Sequence, residues 1–144
     1  MSDSKSADDR DRLASLVAQA KTRGADAADA VLIRSISLSH AQRLGEIEKL
    51  ERQESFDLGL RVFRGKKQAI VSSTDFSDEA LSELVGRAVD MAGMVPDDPW
   101  TGLADPDQLA TDIPDLDMVD PDEPASAELI EMARACEDAA RSIE

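Results

Sequence analysis

The sequence has no apolar run that approaches the length needed to span a bilayer, and its N-terminus, MSDSKSADDR, lacks the apolar core of a signal peptide. It has a single cysteine, Cys136, which cannot form an intrachain disulfide. These absences argue against a disulfide-stabilised secreted domain and against a helical membrane protein. The sequence therefore predicts a soluble protein in the reducing cytoplasm, with no membrane partner.

Basic residues are scarce and do not cluster. The 144 residues include 16 lysines and arginines against 31 aspartates and glutamates, which gives a formal net charge of −15. A site that neutralises nucleic-acid phosphates needs grouped lysine and arginine side chains. We therefore expect no direct nucleic-acid binding.

Residue types that form catalytic or metal centres are also few. His40 is the only histidine, whereas nucleophilic triads and zinc sites need histidine among other groups at defined spacings. We interpret it as a polar residue at the end of a strand. Cys136 lies on the apolar stripe of a predicted helix, where a free cysteine is usually a small buried hydrophobe. The run Ser72–Thr74 lacks the glycine-rich loop and lysine of a phosphate site, so its predicted role is helix capping.

One segment, Val95–Pro124, contains all six prolines and ten acidic residues but no basic one, and we call it the acidic strap. Its aspartates Asp115, Asp117 and Asp120 lack the glycine of the helix-loop-helix calcium loop, so we predict a solvated segment without a metal. A connection of this length is typically functional or an extended strap. Apolar residues at intervals predict that the strap is docked on the protein, with these as its anchors: Trp100, Leu103, Leu109, Ile113, Leu116 and Met118. No catalytic, cofactor-binding or metal-binding residue is predicted in the sequence.

The apolar fraction of 42% is sufficient for one globular domain, which we place at residues 9–144 after a disordered tail at residues 1–8. Helical spacing predicts a first helix over Asp9–Arg23, with Gly24 as its left-handed C-terminal residue. A second helix is predicted after Ser77, which is the best N-cap candidate, and it ends at Gly93 before Pro96. Its buried stripe comprises Leu81, Leu84, Val85, Ala88, Val89 and Ala92.

Between these helices the sequence predicts four antiparallel strands in series. The first is Ala30–His40, and the second is Gln42–Glu54, although Leu44, Ile47 and Leu50 also fit a helical spacing. Alternation over Phe56–Val62 predicts the third strand, and a turn at Arg64–Lys67 leads to the fourth at Gln68–Ser73. A last helix after Ser126 is predicted to present one apolar face formed by Leu129, Met132, Ala133, Cys136, Ala140 and Ile143. The predicted fold class is α+β: an antiparallel sheet of about four strands covered by helices.

Several blocks of the sequence occur in an order that resembles a known family. They are LGEIEKLERQESFDLGLRVF, VSSTDFS, PDDPWTGLADPDQLA and DIPDLDM. These blocks resemble the N-terminal region of PmbA (TldE) proteins, in the PmbA/TldD family that is also described as modulators of DNA gyrase. The resemblance covers about Gly24 to Ile143.

The resemblance implies an α/β N-terminal domain that a larger β-rich domain follows, so we expect this chain to be an N-terminal fragment. It also implies a hetero-oligomer in which a TldD-type subunit carries a His-Glu-x-x-x-His zinc motif. Zinc is then expected only in that partner, and the complex is a cytoplasmic metalloprotease acting on unfolded or leader peptides. No position here matches a catalytic or metal residue of the family. Two alternatives stay open: self-association, and a stand-alone acidic module that binds a basic partner such as DNA gyrase by charge mimicry.

Overall fold

The computed structural model describes residues 2–118, 120 and 122–143, which form three helices and one three-stranded sheet. In chain order the elements are α1 (Ser2–Thr22), β1 (Ala27–Arg43), β2 (Glu46–Arg64), β3 (Lys67–Ser73), α2 (Asp78–Met94) and α3 (Ser126–Arg141). A single 3-10 turn, Pro106–Gln108, lies within the acidic strap. The α+β class is confirmed.

The sheet has the order β1-β2-β3, and two tight hairpin turns connect its strands. Leu44 and Gly45 both have positive φ, as the right-handed twist of a two-residue hairpin favours. The second turn has Gly65 at positive φ, and Arg64 pairs with Lys67 across it. The sequence placed the first turn near Ala41–Gly45 and the second at Arg64–Lys67, and both turns lie within these ranges, although β1 continues to Arg43, beyond its predicted end at His40.

The predicted count of four strands is wrong, because the second and third predicted strands are one continuous strand, β2. No glycine, proline or asparagine lies between Gln53 and Asp57 to turn the chain, so the backbone stays extended through Glu54 and Ser55. The three-residue spacing of Leu44, Ile47 and Leu50 therefore does not produce a helix, because ladder hydrogen bonds determine the local structure.

The chain divides into two compact units. The first unit is Met1–Arg34 with Phe56–Leu109, and the second is Ser35–Ser55 with Ala110–Glu144. Strands β1 and β2 contribute residues to both units.

The first unit contains the hydrophobic core. Helix α2 packs on β3, and α1 packs against α2. All six residues predicted for the stripe of α2 are buried. They meet Leu58, Leu60 and Val62 of β2, whose alternate side chains point to the same face of the sheet. The Ser77 hydroxyl accepts a hydrogen bond from the Ala80 amide, which confirms Ser77 as the N-cap of α2.

Helix α1 begins at Ser2, so residues 2–8 are helical where the sequence predicted a disordered tail. Met1 lies outside the described residues. At the other end, α1 finishes at Thr22, and Gly24, two residues later, has a φ of +100°, as predicted for a left-handed C-terminal residue.

The prediction that the acidic strap is docked through its apolar residues is wrong. Its six predicted anchors are between 49% and 92% exposed, and Trp100 is the most exposed of them. Polar groups hold the start of the strap instead: the Asp98 amide donates to the Lys66 carbonyl (2.7 Å), and Thr101 is buried. Asp98, Asp115 and Asp120 each accept a hydrogen bond from the backbone amide two residues further along, which forms short local turns within the strap.

Candidate functional site

The second unit differs from the first because none of its described side chains is buried. It consists of the distal half of the β1–β2 hairpin, the last part of the acidic strap and α3. Fifteen acidic and five basic side chains give it a formal net charge of −10, two thirds of the −15 of the whole chain. An exposed apolar surface with a strong charge of one sign is a common property of interaction sites.

One carboxylate holds α3 on the hairpin turn. Glu137 accepts hydrogen bonds from the amides of Gly45 (3.1 Å) and Leu44, and from the side-chain amide of Gln42 (3.0 Å). The Gly45 amide, followed by the Leu44 amide, Gln42 and the charge of Arg141, lowers the pKa of Glu137. These hydrogen bonds stabilise the ionised carboxylate of Glu137. Glu137 is therefore a charged acceptor for the amides of a turn whose residues have positive φ, and we call this set of contacts the Glu137 clamp.

The half-buried residues of helix α3 are Leu129, Ile130, Ala133 and Glu137. The spacing placed Met132, Cys136 and Ile143 on one apolar face of α3, and that face is largely exposed, since Met132 is 58% and Ile143 is 84% exposed. The prediction that Cys136 is buried is wrong, because its side chain is exposed. Glu137, on the neighbouring face, makes the contacts to the hairpin.

A second polar contact fixes the end of the strap. Arg52 of β2 donates to Glu123 (2.8 Å) and to Glu54 (3.1 Å), and the hydrogen bond to Glu123 is the main cause that raises the pKa of Arg52. Glu123 and Pro124 line three clefts, of about 480, 750 and 260 Å³. Leu38 and Leu50 add apolar walls to the first of these clefts, and Met132 adds one to the second. The second unit thus presents shallow, acid-rimmed apolar depressions.

His40 lies in β1 and is half-buried, three residues before the end of the strand. Its Nε2 contacts the Gln42 side-chain oxygen at 3.3 Å, and Gln42 in turn donates to Glu137. Its Nδ1 is buried and has no hydrogen-bond partner among the described residues. His40 therefore belongs to the packing around the Glu137 clamp, near the strand end where the sequence placed it.

The residues just before α2 form a hydrogen-bonded turn. The Ser73 hydroxyl accepts from the Asp75 amide, and Asp75 accepts from the Ser77 amide, so this run forms the turn that precedes α2, whereas the cap of the helix is Ser77. Within the described part of the chain, no three histidine, cysteine, aspartate or glutamate side chains lie close enough to hold a metal ion. No helix of the described residues is long and apolar enough to cross a membrane.

The first unit also has an exposed apolar surface, on the sheet face opposite its helices. Val31, Ile33 and Ile70 are 53%, 54% and 64% exposed, and Gly59 lies between the outer strands. A Cβ atom at Gly59 would approach the Val31 side chain to 3.2 Å, so glycine permits close contact there. Beside this surface Arg61 forms a bidentate pair with Asp29 and lies over the ring of Phe63.

Comparison with known proteins assigns a family to these features. A family model described as PmbA/TldA metallopeptidase domain 1 matches residues 28–92, from β1 to the end of the α2 stripe. The curated protein named Metalloprotease PmbA from Escherichia coli O157:H7 is 36% identical over 115 residues, or 80% of this chain and 26% of that relative. A Metalloprotease PmbA homolog from Haemophilus influenzae is 33% identical over 104 residues, or 72% of this chain and 23% of that relative. The chain belongs to the PmbA/TldD family.

Its similarity is to the PmbA (TldE) type, and the chain spans about a quarter of the length of these curated relatives. Two solved structures share the fold. A protein described as a modulator of DNA gyrase from Bacteroides thetaiotaomicron has a TM-score of 0.80 at 20% identity, over 95% of this chain and 32% of that one. TldE from Thermococcus kodakarensis has a TM-score of 0.69 at 17% identity, over 92% of this chain and 30% of that one. The chain is thus a metallopeptidase-related domain of the PmbA/TldD family.

Proposed function

We propose that this chain is the scaffold and partner-binding domain of a PmbA-type subunit, within a TldD/PmbA zinc metalloprotease that processes unfolded or leader peptides. In this proposal the TldD-type subunit supplies zinc and the catalytic residues, and this chain supplies binding surface. The domain occupies residues 9–144 of the chain. The complex works in the cytoplasm.

The observation that carries the proposal is the 36% identity to a protein named as a metalloprotease, over 80% of this chain but only 26% of that relative. A domain that makes up a quarter of a protease contributes to the whole enzyme without having to contain its catalytic centre. The first unit contains a buried core, whereas no described side chain of the second unit is buried, and this difference supports the division of roles.

The experiment uses the 144-residue chain and the TldD-type subunit encoded in the same genome. We expect the two to co-purify, zinc to be bound by the TldD-type subunit, and the chain alone to hydrolyse no unfolded peptide. One equivalent of zinc bound to this chain alone, or peptide hydrolysis by it alone, would contradict the proposal. Failure of the two proteins to associate would contradict its partner-binding part.

A second candidate function rests on the charge of −10 in the second unit. In this alternative the acidic surface competes with DNA for a basic partner such as gyrase. Binding of this kind weakens steeply as salt increases. Titration of the chain into gyrase at low and at moderate ionic strength tests it, since absent or salt-independent binding contradicts charge mimicry.

A further inference from the structure

We propose that a cavity in the first unit binds an oxyanion group, the carboxylate or phosphate of a small ligand, through Arg64 and Lys67. The cavity has a volume of about 370 Å³ and lies beside the turn between β2 and β3. We call it the turn cavity. All of its lining residues belong to the first unit, and the assignment does not depend on the proposed function.

The turn cavity lies where elements of the first unit end or join. Its lining residues are Gly24, Asp26, Arg64, Gly65, Lys67 and Gly93. Gly24 and Gly65 have φ values of +100° and +59°, and a Cβ atom at either position would meet nothing within 4 Å. Glycine therefore allows the backbone to form this part of the wall and leaves open space in front of it.

The guanidinium of Arg64 lies against the last turn of α2 without a partner. A Cβ atom at Gly93 would come within 2.8 Å of Arg64 Nη1, so the glycine leaves room for the guanidinium at this position. Among the described residues, the guanidinium forms no hydrogen bond or ion pair. Its planar fork of N–H donors matches the oxygens of a carboxylate or a phosphate. An oxyanion in the turn cavity would supply the missing acceptors.

Lys67 has a different role at the same wall. Its Nζ donates to the Gly93 carbonyl (3.3 Å), and the last turn of α2 contains no basic residue of its own. Lys67 therefore offsets the negative end of the helix dipole. An ammonium has three N–H donors, so two of them remain for a ligand beside Arg64.

The charge of the lining favours an anion. Asp26 is the one acidic residue among the lining residues, and its Oδ2 accepts a hydrogen bond from the Gly65 amide (2.6 Å). In the described part of the chain it forms no ion pair with Arg64 or Lys67. Two cations and one carboxylate give the lining a formal charge of +1, whereas the whole chain has −15.

NMR titration of the ¹⁵N-labelled 144-residue chain tests the site. The probes are N-acetyl-alanyl-alanine with a free carboxylate, the same peptide as its C-terminal amide, and inorganic phosphate. We expect the free acid to shift the amide signals of Gly24, Gly65 and Gly93, with a dissociation constant of about 1 mM, and the amide to leave them unchanged. Saturation by the free acid identifies a carboxylate ligand, and saturation by phosphate alone identifies a phosphate ligand.

Two variants and one control locate the binding group. Arg64→Gln removes the fork, and Gly93→Ala displaces it with a methyl group, so each weakens binding about tenfold or more. Arg87 is a matched control, because it is an exposed arginine of the first unit that does not line the turn cavity. Arg87→Gln changes the affinity less than about twofold. The three variants keep the thermal unfolding transition of wild type, since none of these positions is in the core.

Three results would overturn the assignment. Equal shifts with the acid and the amide would show that the carboxylate is not recognised. A loss of affinity in Arg87→Gln as large as in Arg64→Gln would show a general effect of charge. If neither the free acid nor phosphate saturates the three glycine signals below about 10 mM, the turn cavity binds no oxyanion. The proposed function stands or fails separately, because its test measures association and zinc.

Discussion

Two leucines on one strand provide a direct test of the two-unit description. Leu60 and Leu50 both belong to β2, but Leu60 has no exposed surface and Leu50 is 49% exposed. Leu60 lies in the core between the sheet and α2, whereas Leu50 lines an open cleft of the second unit. The same substitution, leucine to alanine, therefore removes a fully packed side chain in one case and a half-solvated one in the other.

The expected cost differs several-fold. Replacing a fully buried leucine by alanine removes its transfer free energy and leaves a cavity, about 3 kcal/mol and at most about 5 kcal/mol. At Leu50 only about half of the side chain is lost from contact and no closed cavity forms, so the cost is about 1 kcal/mol or less. With an m value of about 1.5 kcal/mol per molar urea, Leu60→Ala lowers the urea midpoint by about 2 M.

Far-UV circular dichroism during urea titration of both variants and wild type measures these shifts. Equal shifts for Leu50→Ala and Leu60→Ala would refute the reasoning, because they would require Leu50 to be as well packed as the core. A shift at Leu50 that grows with protein concentration would instead show that copies of the chain cover it.

Three further perturbations test separate elements. Glu137→Gln removes the charged acceptor of the hairpin turn. Hydrogen bonds lower the folded pKa of Glu137, so its contribution to stability is complete above the ordinary glutamate pKa of about 4.3. This contribution is lost as the pH falls through the folded pKa. Hydrogen exchange at the Leu44 and Gly45 amides therefore becomes relatively faster in wild type at low pH, and Glu137→Gln abolishes that pH dependence; an unchanged profile contradicts the clamp. Ser77→Ala removes the N-cap of α2 and costs about 1 kcal/mol in the same urea titration, while Ser77→Asp keeps a side-chain acceptor at the cap and serves as the control. Trp100 is 92% exposed, so the neutral quencher acrylamide quenches its fluorescence nearly as fully as that of free tryptophan, and strong shielding would restore the docked strap that the sequence predicted.

The sequence was most informative where an apolar pattern and the element that buries it lie close together in the chain. The stripe of α2 and its Ser77 cap were predicted residue by residue, because the sheet that buries the stripe immediately precedes the helix. Both hairpin turns were located because glycine permits the positive φ that a two-residue turn requires. The strand count was wrong because alternation does not reveal whether two extended segments join without a turn.

The exposure of apolar side chains in the second unit could not be predicted in the same way. Periodicity correctly placed Met132 and Cys136 on the apolar face of a helix, and Ile113, Leu116 and Met118 are apolar residues spaced along the strap. It gave no information on what covers them, since a helical period is the same whether the covering surface belongs to the same chain or to another. The Glu137 clamp was also missed, because it joins residues more than ninety positions apart through one carboxylate and two turn amides.

The wrong prediction of a docked strap has a physical cause in the second unit. Leu116 and Met118 were predicted as anchors because apolar side chains at intervals usually pack against a core, and the described residues of the second unit provide no buried side chain for them. Met132, on the predicted apolar face of α3, is 58% exposed for the same reason. The stripe of α2 lies in the core of the first unit, so the same kind of periodicity predicted burial correctly there.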